Sequence, residues 1–330
     1  MNQATSVSII IACFERALEL QKLLSSLKKI EFKEPLEIIV VDDGSRNCRA
    51  IKTVADKFQC SLIRLDKNLG PALARNIGAK TAKGKFLWFL DSDTEVNDPH
   101  LLNTLVKCFK QNKSLAGVGG EIIKINDKFY ALNHLYLPNW LFIVKYVPIN
   151  KQFEVRPRFI GTNNLLVLKK DFLLIGGFSP YFNMFEDNDL CLRLARLGKS
   201  FLVRNDTCVI HHYSSSGREG GKFCFFNKTW SYVLTMHISR MKILFLYYPW
   251  MLPILPLLDV ICTPVLLLYQ VFFSPMRSND SFKKKSKNSS KSFLAFVFIS
   301  LMAMFLTWLV AWKLLIQSLI IGKKAVIGKK

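Results

Sequence analysis

Phe86-Leu-Trp-Phe-Leu-Asp-Ser-Asp93 is the stretch that decides the fold. Phe86 to Leu90 are apolar without interruption. The run is too short for a typical helix and suits a strand buried on both faces of a parallel sheet. It stops at Asp91-Ser92-Asp93, two carboxylates either side of a small residue. In an open α/β sheet, ligands bind just outside the carboxyl ends of the strands. Two acids crowded there need a cation or solvent to balance them. A hard divalent ion with phosphate oxygens on its far side would do so. A solvated turn capping the next helix is the alternative.

Working outward, the preceding chain alternates strands and helices. Val7 to Ala12 predicts a first strand, with Cys13 to Arg16 as the loop at its end. Helical spacing of leucines covers residues 17–29, and Glu37 to Val41 is a second strand ending at Asp42-Asp43-Gly44-Ser45. Residues 49–58 read as a helix, Ser61 to Leu65 as a strand, Asn68-Leu-Gly-Pro71 as a turn and 72–82 as a helix. Short loops between such elements predict a parallel, doubly wound sheet with right-handed crossovers. Two of its strands end in acidic clusters, the place where such architectures take a nucleotide.

Beyond Asp93, Asp98-Pro99 opens a helix over 99–112, and Gly117 to Ile125 reads as a strand. Residues 129–158 show no period. Their aromatics Phe129, Tyr130, Tyr136, Trp140, Phe142 and Tyr146 suit either an acceptor-side or membrane-facing surface or ordinary core. Phe159 to Asn164 is expected to end a strand, and Gly176-Gly177 to permit a close backbone turn. Glu186-Asp187-Asn-Asp189 opens a leucine-rich helix that ends near Gly198. Polar residues there suit plain capping, and Asp189 can reach Arg193 at i,i+4. Thr207 to Ile210 reads as a strand ended by His211-His212.

Charge and hydropathy divide the chain. The net charge is +22, of which +12 falls in residues 1–241 and +10 in residues 242–330. The last third is therefore the most basic part for its length, and it is also the most apolar. That pairing points to a membrane with an anionic facing leaflet. The basic residues are not interleaved with stacking aromatics, so nucleic acid is not an expected partner. The eight cysteines include no C-x-x-C pair, which argues against a zinc site and for a reducing compartment. Met1 to Ser6 is polar and lacks the regions of a secretory signal, so the first domain is expected on the cytosolic side.

The tail divides further. Residues 243–273 are apolar except Asp259 and are broken by Pro249, Pro253, Pro256 and Pro264. A Lys-rich loop covers 283–291, and 293–312 is a clean apolar run about one span long. Two membrane segments are expected, with buried core helices as the alternative. A simple two-span arrangement puts the Lys-rich loop outside, against the positive-inside tendency, whereas a re-entrant first segment keeps it inside. The chain therefore reads as a cytosolic domain, 1–240, and a membrane-associated region, 241–330.

The order of motifs resembles a family-2 glycosyltransferase of the GT-A fold. The matching stretches are Ser8-Ile-Ile-Ile-Ala12, Val40-Val-Asp-Asp-Gly-Ser45, Asn68-Leu-Gly-Pro-Ala72, Ala74-Arg-Asn-Ile-Gly78, Gly84 to Asp93, Gly161-Thr-Asn-Asn164, Gly176-Gly-Phe178 and Glu186-Asp187 with Arg193. Together they span roughly residues 6–215. The family's first strand often ends in a Tyr-Asn-Glu type sequence; here it is Cys13-Phe14-Glu15. The missing Asn leaves the nucleotide contacts of that loop open. Read without the resemblance, Glu15 is equally a helix N-terminal acid favoured by the dipole.

The resemblance implies sugar transfer from a nucleotide diphosphate to an acceptor hydroxyl, with Mg²⁺ or Mn²⁺ as Lewis acid and template. It implies Asp93 as direct metal ligand, Asp91 nearer the ribose or a metal-bound water, and His211 or His212 completing the metal site or touching diphosphate. It places Ala12, Phe14, Glu15, Asp42, Asp43, Arg75, Asp91 and Ser92 around the nucleotide sugar, with Asp42 the preferred partner of the base. Turn chemistry is the alternative for Asp42 and Asp43, and a solvated helix face for Arg75. Gly161, Thr162 and Asn163 fall on the acceptor side. Asp187 is the expected general base of an inverting reaction, with Glu186 and Asp189 as alternatives. Ser214 to Gly221, with Arg218 and Lys222, reads as a loop closing over the donor.

The combined expectation is a membrane-anchored, metal-dependent, inverting glycosyltransferase acting on a lipid-linked or membrane-associated glycan. A processive polysaccharide synthase is the runner-up; the Q-x-x-R-W motif of many such enzymes is absent near 215–240, where only Asn227-Lys-Thr-Trp230 appears. A non-catalytic scaffold of a glycan-assembly complex is the third reading, and the intact Asp91, Asp93 and Asp187 argue against it.

Overall fold

The computed structural model describes residues 6–124, 130–135, 144–148, 154–155, 159–182, 184–212, 239, 241–248 and 250, with single helical positions at 302, 305, 309 and 313. The first half runs β1 (Val7–Cys13), α1 (Ala17–Leu27), β2 (Leu36–Asp42), α2 (Cys48–Lys57), β3 (Ser61–Arg64), α3 (Pro71–Thr81) and β4 (Phe86–Asp91). There follow β5 (Thr94–Val96), α4 (Leu101–Gln111), β6 (Leu115–Lys124), β7 (Tyr130–Leu135), β8 (Val144–Pro148) and β9 (Glu154–Val155). The remaining elements are β10 (Asn164–Leu168), α5 (Lys169–Leu174), α6 (Glu186–Ala195) and β11 (Ser200–His211).

The strands form one sheet in the order β3-β2-β1-β4-β10-β6-β11-β5. Its first four strands are parallel, as the alternation predicts. The rest is mixed: β10 runs antiparallel to β4 and β6, and β11 runs parallel to β6 but antiparallel to β5. The purely parallel expectation is corrected there, because β10 enters next to β4 from the opposite end.

The apolar run 86–90 is buried on both faces because successive side chains point opposite ways. Phe86, Trp88 and Leu90 join one core with Leu20, Leu24, Leu102 and Leu105. Leu87 and Phe89 join the other with Ala74, Phe172, Phe178 and Leu190. The sheet is thus clamped between helices, and the carboxyl ends of β1, β2 and β4 meet at one edge. Pro71 pre-sets the first turn of α3, and Gly78 lets that helix lie close to the sheet; a Cβ there would come within 2.8 Å of Ile10 Cγ2.

The sequence pattern does not show β5, β7, β8, β9, β10 or α5. β5, α5 and the β7–β8 pair are too brief to show a period. Phe159 to Asn163 does not end a strand; it is the turn that leads into β10. The last strand is longer than the expected 207–210, running from Ser200 to His211.

The chain divides into two compact units, Met1–Lys222 and Phe223–Lys330. In the second, residues 241–247 are helical, with Met241, Ile243 and Leu244 buried. Met302, Phe305 and Leu309 lie on helical backbone with side chains about half exposed. Among the described residues no helix is long and apolar enough to cross a membrane. Most of 243–273 and 293–312, the Lys-rich loop and the 214–221 loop lie outside the described residues, as do Phe129, Tyr136, Trp140 and Phe142.

Candidate active site

The site forms where the parallel strands end. β4 carries Asp91 to the sheet edge, and the tight turn after it buries Ser92 and Asp93. β5 then pairs antiparallel with β11, with Thr94 opposite His211. That register brings a histidine far along the chain against the acidic pair. His211 Nε2 lies 3.4 Å from Asp91 Oδ2 and 3.4 Å from Asp93 Oδ1. One ligand atom from each of Asp91, Asp93 and His211 falls within 4.8 Å of the others. Two carboxylates and one imidazole fit a divalent ion such as Mn²⁺ or Mg²⁺. His212 does not join them: its Nε2 is 3.2 Å from Glu95 Oε2, and its backbone N–H donates to the Asp93 carbonyl at 2.9 Å. Neighbouring residues on a strand face opposite ways, so only one of the pair can point at the acids.

Each acid also meets an arginine. Arg75, on α3, is buried, and its guanidinium bridges Asp91 Oδ1 at 2.6 Å and Glu186 Oε1 at 3.0 Å. The solvated helix face considered for Arg75 is therefore not its environment. Burial pushes the Asp91 carboxyl up, but Arg75 and His211 outweigh that and hold it well below the usual carboxylate range. Arg16, at the start of α1, places a guanidinium nitrogen 3.0 Å from Asp93 Oδ1.

Arg75 also ties the acidic pair to the helix that carries the expected base. Glu186 and Asp187 open α6, preceded by Phe185 in a left-handed conformation at φ 63°. Asp187 Oδ1 accepts the Asn188 N–H at 2.8 Å. Burial, followed by the charge of Glu186, pushes the Asp187 carboxyl up to about 7, against the Asn188 N–H and Arg75. Asp189 turns away and pairs with Arg193, whose Nε is 2.9 Å from Asp189 Oδ2. Arg193 also donates to the Ile175 and Gly177 carbonyls, which fastens the Gly176-Gly177 turn to α6.

The loops after β1 and β2 are fastened to each other. Ser45 Oγ accepts the Glu15 N–H at 2.9 Å, and Glu15 Oε1 accepts the Arg46 N–H at 2.6 Å. Asp42 is fully buried; Oδ1 accepts the Ser45 N–H at 3.0 Å and Oδ2 pairs with Arg64 at 2.6 Å. Asp43 accepts the Leu69 and Gly70 N–H groups, and burial raises its pKa against those two donors. Asp42 and Asp43 thus organise the turns at this edge. Ala12, opposite Val41 and Asp91, and Phe14 are partly exposed beside them. Gly161, Thr162 and Asn163 form the turn before β10, with Thr162 buried and Asn163 Oδ1 buried without a hydrogen-bond partner among the described residues. A Cβ on Gly161 would lie 3.8 Å from Asp187 Oδ2, so that turn flanks α6.

Residues 8–182 match the family described as glycosyl transferase family 2. The chain belongs to glycosyl transferase family 2. An uncharacterized glycosyltransferase of Haemophilus influenzae is 30% identical over 191 residues, which cover 57% of this chain and 61% of that one. The match thus spans less than two thirds of that relative. The amylovoran biosynthesis glycosyltransferase AmsB of Erwinia amylovora is 22% identical over 261 residues, 76% of this chain and 84% of its own. The fold is similar to GalNAc-T7, a structure solved with UDP, GalNAc and Mn²⁺, at TM-score 0.54 and 17% identity, over 72% of this chain and 48% of that one.

In this family 2 chain, the resemblance picked out Asp91, Asp93, Glu186 and Asp187 as a set, and the fold brings their carboxylates to one edge. The sequence pattern assigns Arg16 only to the loop after β1. Its signal is a basic residue directly behind a buried strand that ends beside acidic clusters. The sequence marks Asn76, next to Arg75, only as part of the Ala74-Arg-Asn-Ile-Gly78 stretch. Its side chain makes two hydrogen bonds with the Phe178 backbone, at 2.7 and 2.8 Å, and so holds the Gly176–Phe178 turn against α3.

Proposed function

We propose that this chain is an inverting glycosyltransferase that moves a sugar from a nucleotide diphosphate to a lipid-linked or membrane-associated glycan. The observation that carries the reading is the junction at Arg75. One buried guanidinium binds a carboxylate of the Asp91-Asp93-His211 cluster and, on its other side, the helix start that carries Asp187. The cluster suits the diphosphate end of a donor, and Asp187 suits the acceptor end.

When bound, Mg²⁺ or Mn²⁺ would neutralise charge developing on the leaving diphosphate, held by Asp93, Asp91 and His211. The protein supplies the rest. Asp187, with a pKa raised to about 7, is poised to take the acceptor hydroxyl proton near neutral pH. The Gly161-Thr-Asn163 turn beside it offers backbone and amide groups to sugar hydroxyls. The residues around Asp42, Asp43 and Arg75 form the nucleotide side. Relatives named for glycan synthesis support an extended glycan as acceptor. The apolar, basic tail, 241–330, supports membrane attachment with the catalytic unit on the cytosolic face.

The test is transfer from labelled nucleotide sugars together with Mn²⁺-dependent binding of UDP and GDP. Asp93→Asn, which removes a charged oxygen ligand, is expected to abolish both. Full activity of folded Asp93→Asn at saturating Mn²⁺ would end the metal assignment.

A further inference from the structure

The two carboxylates at the end of β2 are closed to a ligand. The Asp42 side chain is 1% exposed, with Oδ1 taken by the Ser45 N–H and Oδ2 by Arg64. Asp43 is buried as well, and its two oxygens accept the Leu69 and Gly70 N–H groups. Arg64 differs from both. It is the last residue of β3, stands opposite Asp42 in the parallel β2–β3 register, and keeps 39% of its side chain exposed. Its Nη1 is spent on Asp42 Oδ2 at 2.6 Å, while Nε and Nη2, the two-donor edge of the fork, make no hydrogen bond to the described residues. The buried carboxylate thus holds one end of the guanidinium and leaves that edge unused.

The order of the sheet sets where this edge lies. β3, β2, β1 and β4 are consecutive neighbours, so Arg64 and the Asp91-Asp93-His211 cluster stand three strand spacings apart, about 14 Å, along the carboxyl ends. An extended nucleoside diphosphate with its phosphates at the cluster reaches that far with its base.

We infer that Arg64, rather than Asp42, reads the donor's base, and that it selects a keto group at the pyrimidine C4 or purine C6 position, as in uracil or guanine, over the amino group of cytosine or adenine. A keto oxygen accepts from the guanidinium edge, whereas an amino group in its place meets that edge donor to donor. Guanine also carries N7 beside O6, an acceptor pair that two parallel donors match together. Asp42 holds the guanidinium from behind, which keeps its plane fixed while the base arrives.

This rests on the nucleotide-donor reading above, and the choice of probes separates the two. UDP, CDP, inosine diphosphate and ADP are titrated by calorimetry into the full chain at saturating Mn²⁺. UDP and CDP differ at C4 by keto against amino, and inosine diphosphate and ADP differ likewise at C6. In wild type the better-bound keto ligand is expected to exceed its amino counterpart at least about tenfold in affinity. Arg64→Met should bring that ratio to within about twofold. Arg64→Lys keeps the pair with Asp42 but loses the fork, and should cut the ratio at least about threefold. The ratio compares two ligands on one variant, so a smaller folded fraction does not enter it. Equal affinities within both pairs, or tighter amino ligands, overturn the keto selection. A ratio unchanged in folded Arg64→Met, or in Arg64→Lys should the first variant not fold, overturns the role of Arg64. If none of the four diphosphates binds, the nucleotide-donor reading itself has failed and takes this inference with it.

Discussion

Replacing Asp187 by Asn should make the protein more stable and inactive, and the stability gain should depend on pH. The Asp187 pKa is raised from the model-peptide value of 3.8 to about 7 by burial and by Glu186. Below about pH 4 the group is protonated in both the folded and unfolded states and contributes no difference. Between there and pH 7 the unfolded chain ionises while the folded one keeps its proton, so stability falls as pH rises. Above pH 7 both forms are ionised and the full cost is present. Three pKa units correspond to about 4 kcal/mol. Asp187 is only partly buried, so solvent screening brings the expected cost to about 2 kcal/mol. The Asn side chain can keep the bond from the Asn188 N–H while removing the charge. At pH 8 the variant should therefore melt about 5 °C above wild type, and at pH 4 the two should coincide. Transfer should drop by about two orders of magnitude or more while Mn²⁺ and nucleotide binding persist. Melting curves from pH 4 to 8 and initial transfer rates are the assays. A melting difference that does not change with pH, or a variant that transfers sugar at the wild-type rate, refutes the assignment, and Glu186 becomes the next candidate.

Other expectations follow from single contacts. Arg75→Leu leaves Asp91 and Glu186 without their shared cation and should cost about 3–5 kcal/mol in urea unfolding; a loss below about 1 kcal/mol would show that the bridge is dispensable. Gly177→Ala should destabilise by more than about 1 kcal/mol, since the backbone sits at φ 71° and the new Cβ would lie 2.5 Å from Asn76 Oδ1; an unchanged urea midpoint would contradict this. A chain ending near Arg240 should no longer sediment with anionic vesicles at high salt, because the apolar tail is gone; sedimentation equal to the full chain would place the attachment elsewhere.

The parallel half of the sheet was legible in the sequence because its signals are local. An uninterrupted apolar run such as 86–90 has few conformations that bury every side chain, and Asp91-Ser92-Asp93 marks its end. The same holds for β1, β2 and the helices between them, whose bounds differ by only a residue or two from their hydrophobic spacing. The identity of the acidic residues at the site was likewise available, since charge at a strand end is visible without knowing the neighbours.

What the tertiary structure decided was pairing. No local pattern says that β11 returns parallel to β6 and places His211, rather than His212, on the acids. That choice is set by the register of β11 against β5, a strand of three residues with no period to read. Arg75 has a similar history: apart from the resemblance it reads as a solvated basic residue on a helix, and it becomes a bridge only when the start of α6 brings Glu186 to it. The raised pKa of Asp187 belongs to the fold as well. An aspartate in an isolated chain titrates near 3.8, and only burial beside Glu186 lifts it toward neutrality. Sequence determines which charges exist, but their energies depend on distance and solvent exposure, and those are set only when the chain closes on itself.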